Sequence, residues 1–245
     1  LNLGVLFARA GAYEKSLDCL KELLKIDPNN KIAYDSLTKS YHRLGHTKQA
    51  MQAGTRALVL KDAACPASNA ELKVPAQSPA VWLSSQNKKD VISFSLWGKN
   101  PRYLRGAIDN VLQARECYPG WHTRFYVDTS VPLDIRQALE HLGAEVLLQS
   151  PGQGMRERLA WRFKVSDDPS VGRFLVRDAD AVVNNREAWA VAQWVASDHW
   201  FHVMRDWWTH TDLILAGMWG GISGILPNMA RLLKTYQPSV METPN

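Results

Sequence analysis

Arg173-Phe174-Leu175-Val176-Arg177-Asp178-Ala179-Asp180-Ala181-Val182-Val183 is the stretch on which the reading of the chain turns. Its apolar run, Phe174 to Val176, predicts a short buried strand. The strand delivers Asp-Ala-Asp to the place where extended backbone gives way to a loop. In extended backbone residues i and i+2 point the same way, so Asp178 and Asp180 can face one point in space. Two convergent carboxylates suit a hard divalent cation that takes its other ligands from water and phosphate. They also repel each other and need a counter-charge, of which Arg177 supplies part. An Asp pair after a strand can equally cap a helix or close an Asx-turn, so the neighbourhood has to decide.

From Val91 onward strand and helix signals alternate. Val91 to Gly98 reads as a strand ending at a glycine, followed by a helix from about Tyr103 to Arg115 and a turn at Tyr118-Pro119-Gly120-Trp121. His122 to Val127 reads as a second strand closing on Asp128. Pro132 opens a helix through His141, and Gly143 ends it before a strand over 144–148. An irregular helix carrying Arg156, Arg158 and Arg162 precedes the strand with the Asp pair. Such alternation predicts parallel pairing in a three-layer α/β sheet. Ligands in these sheets bind beyond the carboxyl ends of the strands, and Gly98, Asp128, Asp178 and Asp180 all fall there. Further on, Glu187 to Trp194 reads as a helix and Phe201 to Asp206 as a strand. The glycine-dense segment Leu215 to Gly224 suits a close backbone approach or a bulge. Trp200, Trp207, Trp208 and Trp219 are core candidates that could also stack on sugar faces.

The first 61 residues repeat themselves. A shift of 34 residues, the tetratricopeptide period, aligns Leu3 with Leu37, Phe7 with Tyr41, Gly11 with Gly45, Ser16 with Ala50 and Leu23 with Ala57. Leu3, Phe7 and Leu20 are expected between two antiparallel helices, Ser16 and Ala50 at close approaches, and the glycines in the turns. Asp27-Pro28-Asn29-Asn30 separates the units. The segment resembles tetratricopeptide repeats, from which the second unit departs at Thr38, Gly54 and Asp62 as a terminal unit would. The resemblance implies a protein-binding surface and further repeats upstream; a helical spacer is the plainer role. Residues 62–90, with Pro66, Pro75, Pro79 and several serines (Ser68, Ser78, Ser84, Ser85), read as a linker. The start at Leu1 and the end at Glu242-Thr243-Pro244-Asn245 lead us to expect a fragment, with the 91–245 domain shortened at its C-terminus.

A net charge of +5 with scattered Lys and Arg does not make the clustered basic face of a nucleic-acid binder. Cys19, Cys65 and Cys117 are odd in number and widely spaced, which argues against a disulfide framework and predicts a reducing, cytoplasmic setting. The longest uncharged run, 213–230, is too polar and glycine-rich for a membrane span.

Phe94-Ser95-Leu96-Trp97-Gly98 on one strand, Phe125-Tyr126-Val127-Asp128 on the next and Arg177-Asp178-Ala179-Asp180 after a later one resemble nucleotide-sugar glycosyltransferases of the GT-A fold. The resemblance covers roughly residues 91–230 and its shared motif is the Asp-x-Asp. It implies Mn²⁺ or Mg²⁺ at Asp178 and Asp180, held against the diphosphate of a donor, with Arg162 and Arg177 as diphosphate contacts. Ser95, Trp97 and Asp128 would face the nucleoside. Gly220 and Gly221 would line the site toward the acceptor, beside Asp206 and His210 as the catalytic candidates. The acceptor could be macromolecular, given the repeats. A dehalogenase-type phosphatase also uses Asp-x-Asp, but after the first strand of its domain, and here the motif comes much later. A non-catalytic tetratricopeptide scaffold with an inert transferase-like domain is the alternative of a different class.

Overall fold

The computed structural model describes residues 1–65, 74–84, 86–150 and 154–235. It divides the chain into two compact units, one of residues 1–69 with 204–215 and one of 70–203 with 216–245.

The first unit is built on two helical hairpins, α1 (Asn2–Arg9) with α2 (Tyr13–Ile26) and α3 (Lys31–Arg43) with α4 (Thr47–Ala63). Gly11 and Gly45, 34 positions apart, carry φ of 78° and 75° at the two hairpin turns, a backbone conformation that glycine adopts without a steric penalty. Asn30 caps α3 by accepting from the Ala33 amide at 2.9 Å. Leu17, Leu20, Ala33, Leu37 and Ala53 form the core, and the Ser40 hydroxyl donates to Ser16 at 3.1 Å inside it. One expectation is corrected. Leu3 is 56% exposed, and the residue that meets Leu20 is Gly4, where a Cβ would come within 2.8 Å of the leucine side chain.

Residues 204–215 pack on the other flank of α3 and α4. The Trp208 carbonyl would lie 2.5 Å from a Cβ on Gly54, with Thr38 3.4 Å from the same point. His42 meets Trp207 and Trp208 edge-on at 5.5 and 5.8 Å. Lys61 donates to the Thr211 carbonyl at 2.9 Å and pairs with Asp35 at 2.8 Å. Two of the positions where the second repeat departs from its pattern, Thr38 and Gly54, are therefore the ones this segment covers.

In the second unit β1 (Lys89–Leu96), β2 (Trp121–Val127), β3 (Glu145–Leu148) and β4 (Val171–Arg177) pair in parallel, as the alternation predicts. β5 (Phe201–Val203) and β6 (Met218–Ile222) add antiparallel pairs, giving the order β3-β2-β1-β4-β6-β5. The sheet is thus mixed. The predicted strand through Asp206 ends at Val203, and part of the glycine-dense segment is β6. Gly220 and Gly221 are in that strand because of close packing. A Cβ on Gly220 would lie 2.5 Å from the Phe174 carbonyl, and one on Gly221 2.6 Å from the Phe201 ring.

Alternate residues of β1 face opposite layers. Ile92, Phe94 and Leu96 join a core with α6 (Pro101–Cys117), α7 (Leu133–His141) and α9 (Asn185–Val195). Val91 joins Trp161, Val165, Phe174 and Trp219 on the other face. That face is covered by α8 (Met155–Ala160) and a 3₁₀ segment, Trp161–Asp167, which is the irregular arginine-bearing helix of the sequence. Fully burying one side chain of this size stabilises by about 1.5–3 kcal/mol. Within the predicted linker, α4 runs to Ala63, α5 spans Pro79–Ser84 and β1 begins at Lys89. α10 spans Met229–Thr235. Pro66, Ser68, Ser85 and the last four residues lie outside the described residues. Among the described residues no helix is long and apolar enough to cross a membrane.

Candidate functional site

The order of the sheet turns around at β1. The chain moves outward from β1 through β2 to β3, then crosses back to lay β4 on β1's other side. In open α/β sheets ligands bind in the crevice beyond the strands' carboxyl ends at such a switch point; here α6 and α9, which follow β1 and β4, pack on the same face of the sheet. Asp178 and Asp180 follow β4 at that end, and Trp97 and Gly98 follow β1. The 178–183 turn is held from below by Asn110 of α6, which is fully buried. Its amide donates to the carbonyls of Gly106 and Ala179 at 2.8 and 3.2 Å, and its oxygen accepts from the Val183 amide at 3.0 Å. Gly106 is required there because a Cβ would lie 2.3 Å from the Ala179 carbonyl.

Each carboxylate in the crevice has an arginine partner. Arg162 pairs with Asp178 through Nη1, which also reaches the Arg177 carbonyl at 3.3 Å. Arg102 Nη2 lies 2.8 Å from Asp180 Oδ2. Arg158 Nε lies 3.1 Å from Asp128 Oδ2, while Oδ1 of Asp128 accepts from the Ser130 amide at 3.0 Å. Ser130 in turn accepts from the Gly98 amide at 2.7 Å, tying the ends of β1 and β2 together. Arg162 is placed by Ser95, whose buried hydroxyl accepts from the Arg162 amide at 3.0 Å and donates to the Leu159 carbonyl at 3.3 Å. Ser95 therefore holds the arginine-bearing layer and offers no free hydroxyl to a nucleoside. Trp97 is half-buried and meets Trp161 edge-on at 6.4 Å.

Arg177 is turned away from the carboxylate pair. It is 2% exposed, and Nε donates to Glu187 at 2.9 Å while Nη1 reaches the Trp219 carbonyl at 3.2 Å. Side chains alternate along a strand, so Arg177 and Asp178 point to opposite layers, and the guanidinium available beside Asp178 is that of Arg162. Arg177 has a different effect. Burial first, and then the Arg177 charge, hold His202 down at about 4, and burial pushes the Tyr118 phenol up to about 12 against the opposing pull of Arg177.

Gly220 and Gly221 sit at the middle of β6, opposite Leu175 and Phe174. The glycine of that segment that reaches the crevice is Gly217, where a Cβ would lie 2.0 Å from Asp178 Oδ2. Asp206 and His210 lie in the 204–215 segment, within the helical unit, with His210 Nδ1 2.8 Å from Asp206 Oδ1. Arg102 and Asn110 escaped the sequence reading, which named Arg158 and the segment of Gly217 without giving either a place in the site. Arg102 carried one local signal, since Asn100-Pro101 marks the start of α6 and Asn100 accepts from the Arg102 amide at 3.0 Å.

No group of three or more His, Cys, Asp or Glu gathers tightly enough to enclose a metal among the described residues. Two carboxylates at the end of a strand fit a cation that completes its shell with water and phosphate; Asp178 Oδ2 lies packed against Gly217, and Asp180 meets Arg102 through Oδ2.

A mixed α/β sheet with a carboxylate–arginine crevice at its switch point, joined to paired helical hairpins, is the class the fold defines. No family model matches the sequence. Two peroxisomal targeting signal receptors, from Saccharomyces cerevisiae and Candida glabrata, are each 34% identical over 61 residues. The match takes in 25% of this chain and 10% of either relative, so the chain spans about a tenth of the length of the curated relatives it matches. Among solved structures, a point mutant of the Thermobaculum terrenum O-GlcNAc transferase covers 71% of this chain, and the match covers 38% of that one, at 13% identity and a TM-score of 0.33. That likeness is too slight to establish a shared fold.

Proposed function

We propose that the α/β unit is a metal-dependent glycosyltransferase of GT-A type that takes a nucleotide-diphosphate sugar, and that the helical hairpins dock a protein partner. The observation that carries this reading is the position of Asp178 and Asp180 at the carboxyl end of β4, across the switch point from the end of β1. Asp178 and Asp180 would hold Mn²⁺ or Mg²⁺. Bound there, the cation would act as a Lewis acid on the diphosphate leaving group. Arg162, fixed at the crevice by Ser95, presents a guanidinium whose fork matches phosphate oxygens. Asp128, anchored by Ser130 and Arg158, would limit the nucleoside side. Asn110 and Gly106 hold the 178–183 turn rigid, so that little ordering remains to oppose binding.

One observation favours a second reading. Asp128, Asp178 and Asp180 all have arginine partners, which is also how a purely structural ion-pair network looks, and an inert domain serving a helical scaffold would keep it. Thermal unfolding with UDP and with GDP, each with and without Mn²⁺, separates the two. A ligand at one hundred times its Kd stabilises by about 2.7 kcal/mol. We expect a metal-dependent rise in Tm with one nucleotide that Asp180→Ala abolishes. A Tm that ignores both nucleotides in the presence of Mn²⁺ would rule out the donor site and leave the scaffold.

A further inference from the structure

The two arginines facing the Asp-x-Asp pair are held very differently. The Arg162 side chain is 5% exposed, its amide is bonded to Ser95 and its Nη1 reaches the Arg177 carbonyl; its Nε is buried with no hydrogen-bond partner. Arg102 is 72% exposed and pairs with Asp180, whose own side chain is 16% exposed. Arg162 is therefore fixed, whereas Arg102 can swing into solvent, leaving the largely buried Asp180 in need of another counter-charge.

Where Arg102 would go follows from α6. Its backbone is set by the Asn100 cap and Pro101, and Gly106, one turn further along, lies against the Ala179 carbonyl. The first turn of a 17-residue helix is thus packed beside the Asp178–Asp180 turn, with its positive end toward the crevice. A divalent cation on Asp180 and a guanidinium on the same oxygen repel each other. An anion bridging that cation gives the displaced guanidinium a new partner on the same side, next to the amino end of the helix.

We propose that Arg102 is a displaceable counter-charge. It neutralises Asp180 while no cation is bound, and it moves onto the diphosphate when cation and diphosphate bind together. Resting on the transferase reading of the site, this makes cation and diphosphate binding cooperative through Arg102. Cation alone has to displace a guanidinium that gains nothing in return. Diphosphate alone finds Arg102 occupied. Binding of the two together resolves both conflicts, and the coupling must be reciprocal.

Calorimetric titration of the whole chain and of Arg102→Ala tests this, using Mn²⁺ alone, UDP or GDP alone, and nucleotide in saturating Mn²⁺. The exposure of Arg102 leaves the variant folded, and its Tm checks this. The Arg102→Ala change is expected to tighten Mn²⁺ alone severalfold and to weaken nucleotide in Mn²⁺ about tenfold, within the usual range of coupling between sites. Arg102→Lys should recover part of the second effect, as a point charge without the planar fork. Wild-type binding of nucleotide with Mn²⁺, unchanged in Arg102→Ala together with an unchanged Mn²⁺ affinity, would overturn the inference and leave the transferase reading standing. A wild type that binds neither nucleotide in Mn²⁺ would overturn both.

Discussion

Gly217 offers a sharp test of the crevice, because a single methyl group there moves a carboxylate and little else. In Gly217→Ala the new Cβ would lie 2.0 Å from Asp178 Oδ2, 2.6 Å from Cγ and 3.2 Å from Oδ1. Ordinary contact begins near 3.4 Å, so Oδ2 must retreat by about 1.4 Å. The Asp178 side chain is 46% exposed and can swing outward, but doing so strains its pair with the buried Arg162. Gly217 is not among the glycines with positive φ, so alanine meets no backbone penalty, and the more restricted unfolded chain offsets part of the strain by about 0.4–1 kcal/mol. Net stability should change by about 1 kcal/mol or less, which for a unit of this size is about 2–4 °C in Tm. Binding should suffer far more. Displacing a positioned group by about 1 Å can reduce a rate about a hundredfold, and metal-dependent nucleotide affinity should fall by a comparable factor. Paired thermal unfolding and calorimetry in Mn²⁺ would read both quantities. A Gly217→Ala protein that keeps its Tm and binds nucleotide as tightly as the wild type would refute the assignment of Asp178 to the site.

Two further outcomes are expected. Asn110→Ala removes three hydrogen bonds beneath the 178–183 turn and leaves the buried Val183 amide unpaired. It should destabilise by about 2–4 kcal/mol, measured by urea unfolding, and a loss under 1 kcal/mol would mean the turn holds itself. The second concerns acid. Burial and the Arg177 charge lower the folded-state pKa of His202 from 6.5 to about 4. Its neutral form therefore adds stability that is complete above about pH 6.5 and is lost as pH falls toward 4. Discounted for partial exposure, this amounts to about 1–2 kcal/mol, and His202→Gln should flatten the slope of stability against pH in that window. Glu145 and Asp168 are both lowered, since hydrogen bonds, from Lys89 and Arg124 to one and from Ser170 and Arg124 to the other, outweigh the burial that opposes them. Their loss adds a further fall at lower pH, which separates it from that of His202.

Local signals were sufficient for much of the architecture. Gly11 and Gly45 at turns, the Asp27-Pro28-Asn29-Asn30 break and the apolar runs before Asp128 and Asp178 act within a few residues of themselves. For that reason the two hairpins, the parallel strands and the placing of the Asp pair at a strand's carboxyl end were legible before any coordinates. What tertiary structure decided was set by residues far apart in sequence. Arg177 is next to Asp178, yet strand alternation turns it into the core toward Glu187, while Arg162, fifteen positions earlier, reaches the carboxylate because Ser95 bonds its backbone. Gly217 and Gly220 are equivalent as letters, and only the antiparallel register of β6 on β4 puts one against Asp178 and the other against Leu175. Asp206, expected at the end of a strand, and His210 lie in a segment that packs on Gly54 and Lys61. Sequence specifies the dihedral and capping preferences of neighbours; which side chains converge depends on register and packing between elements, and those are properties of the folded whole.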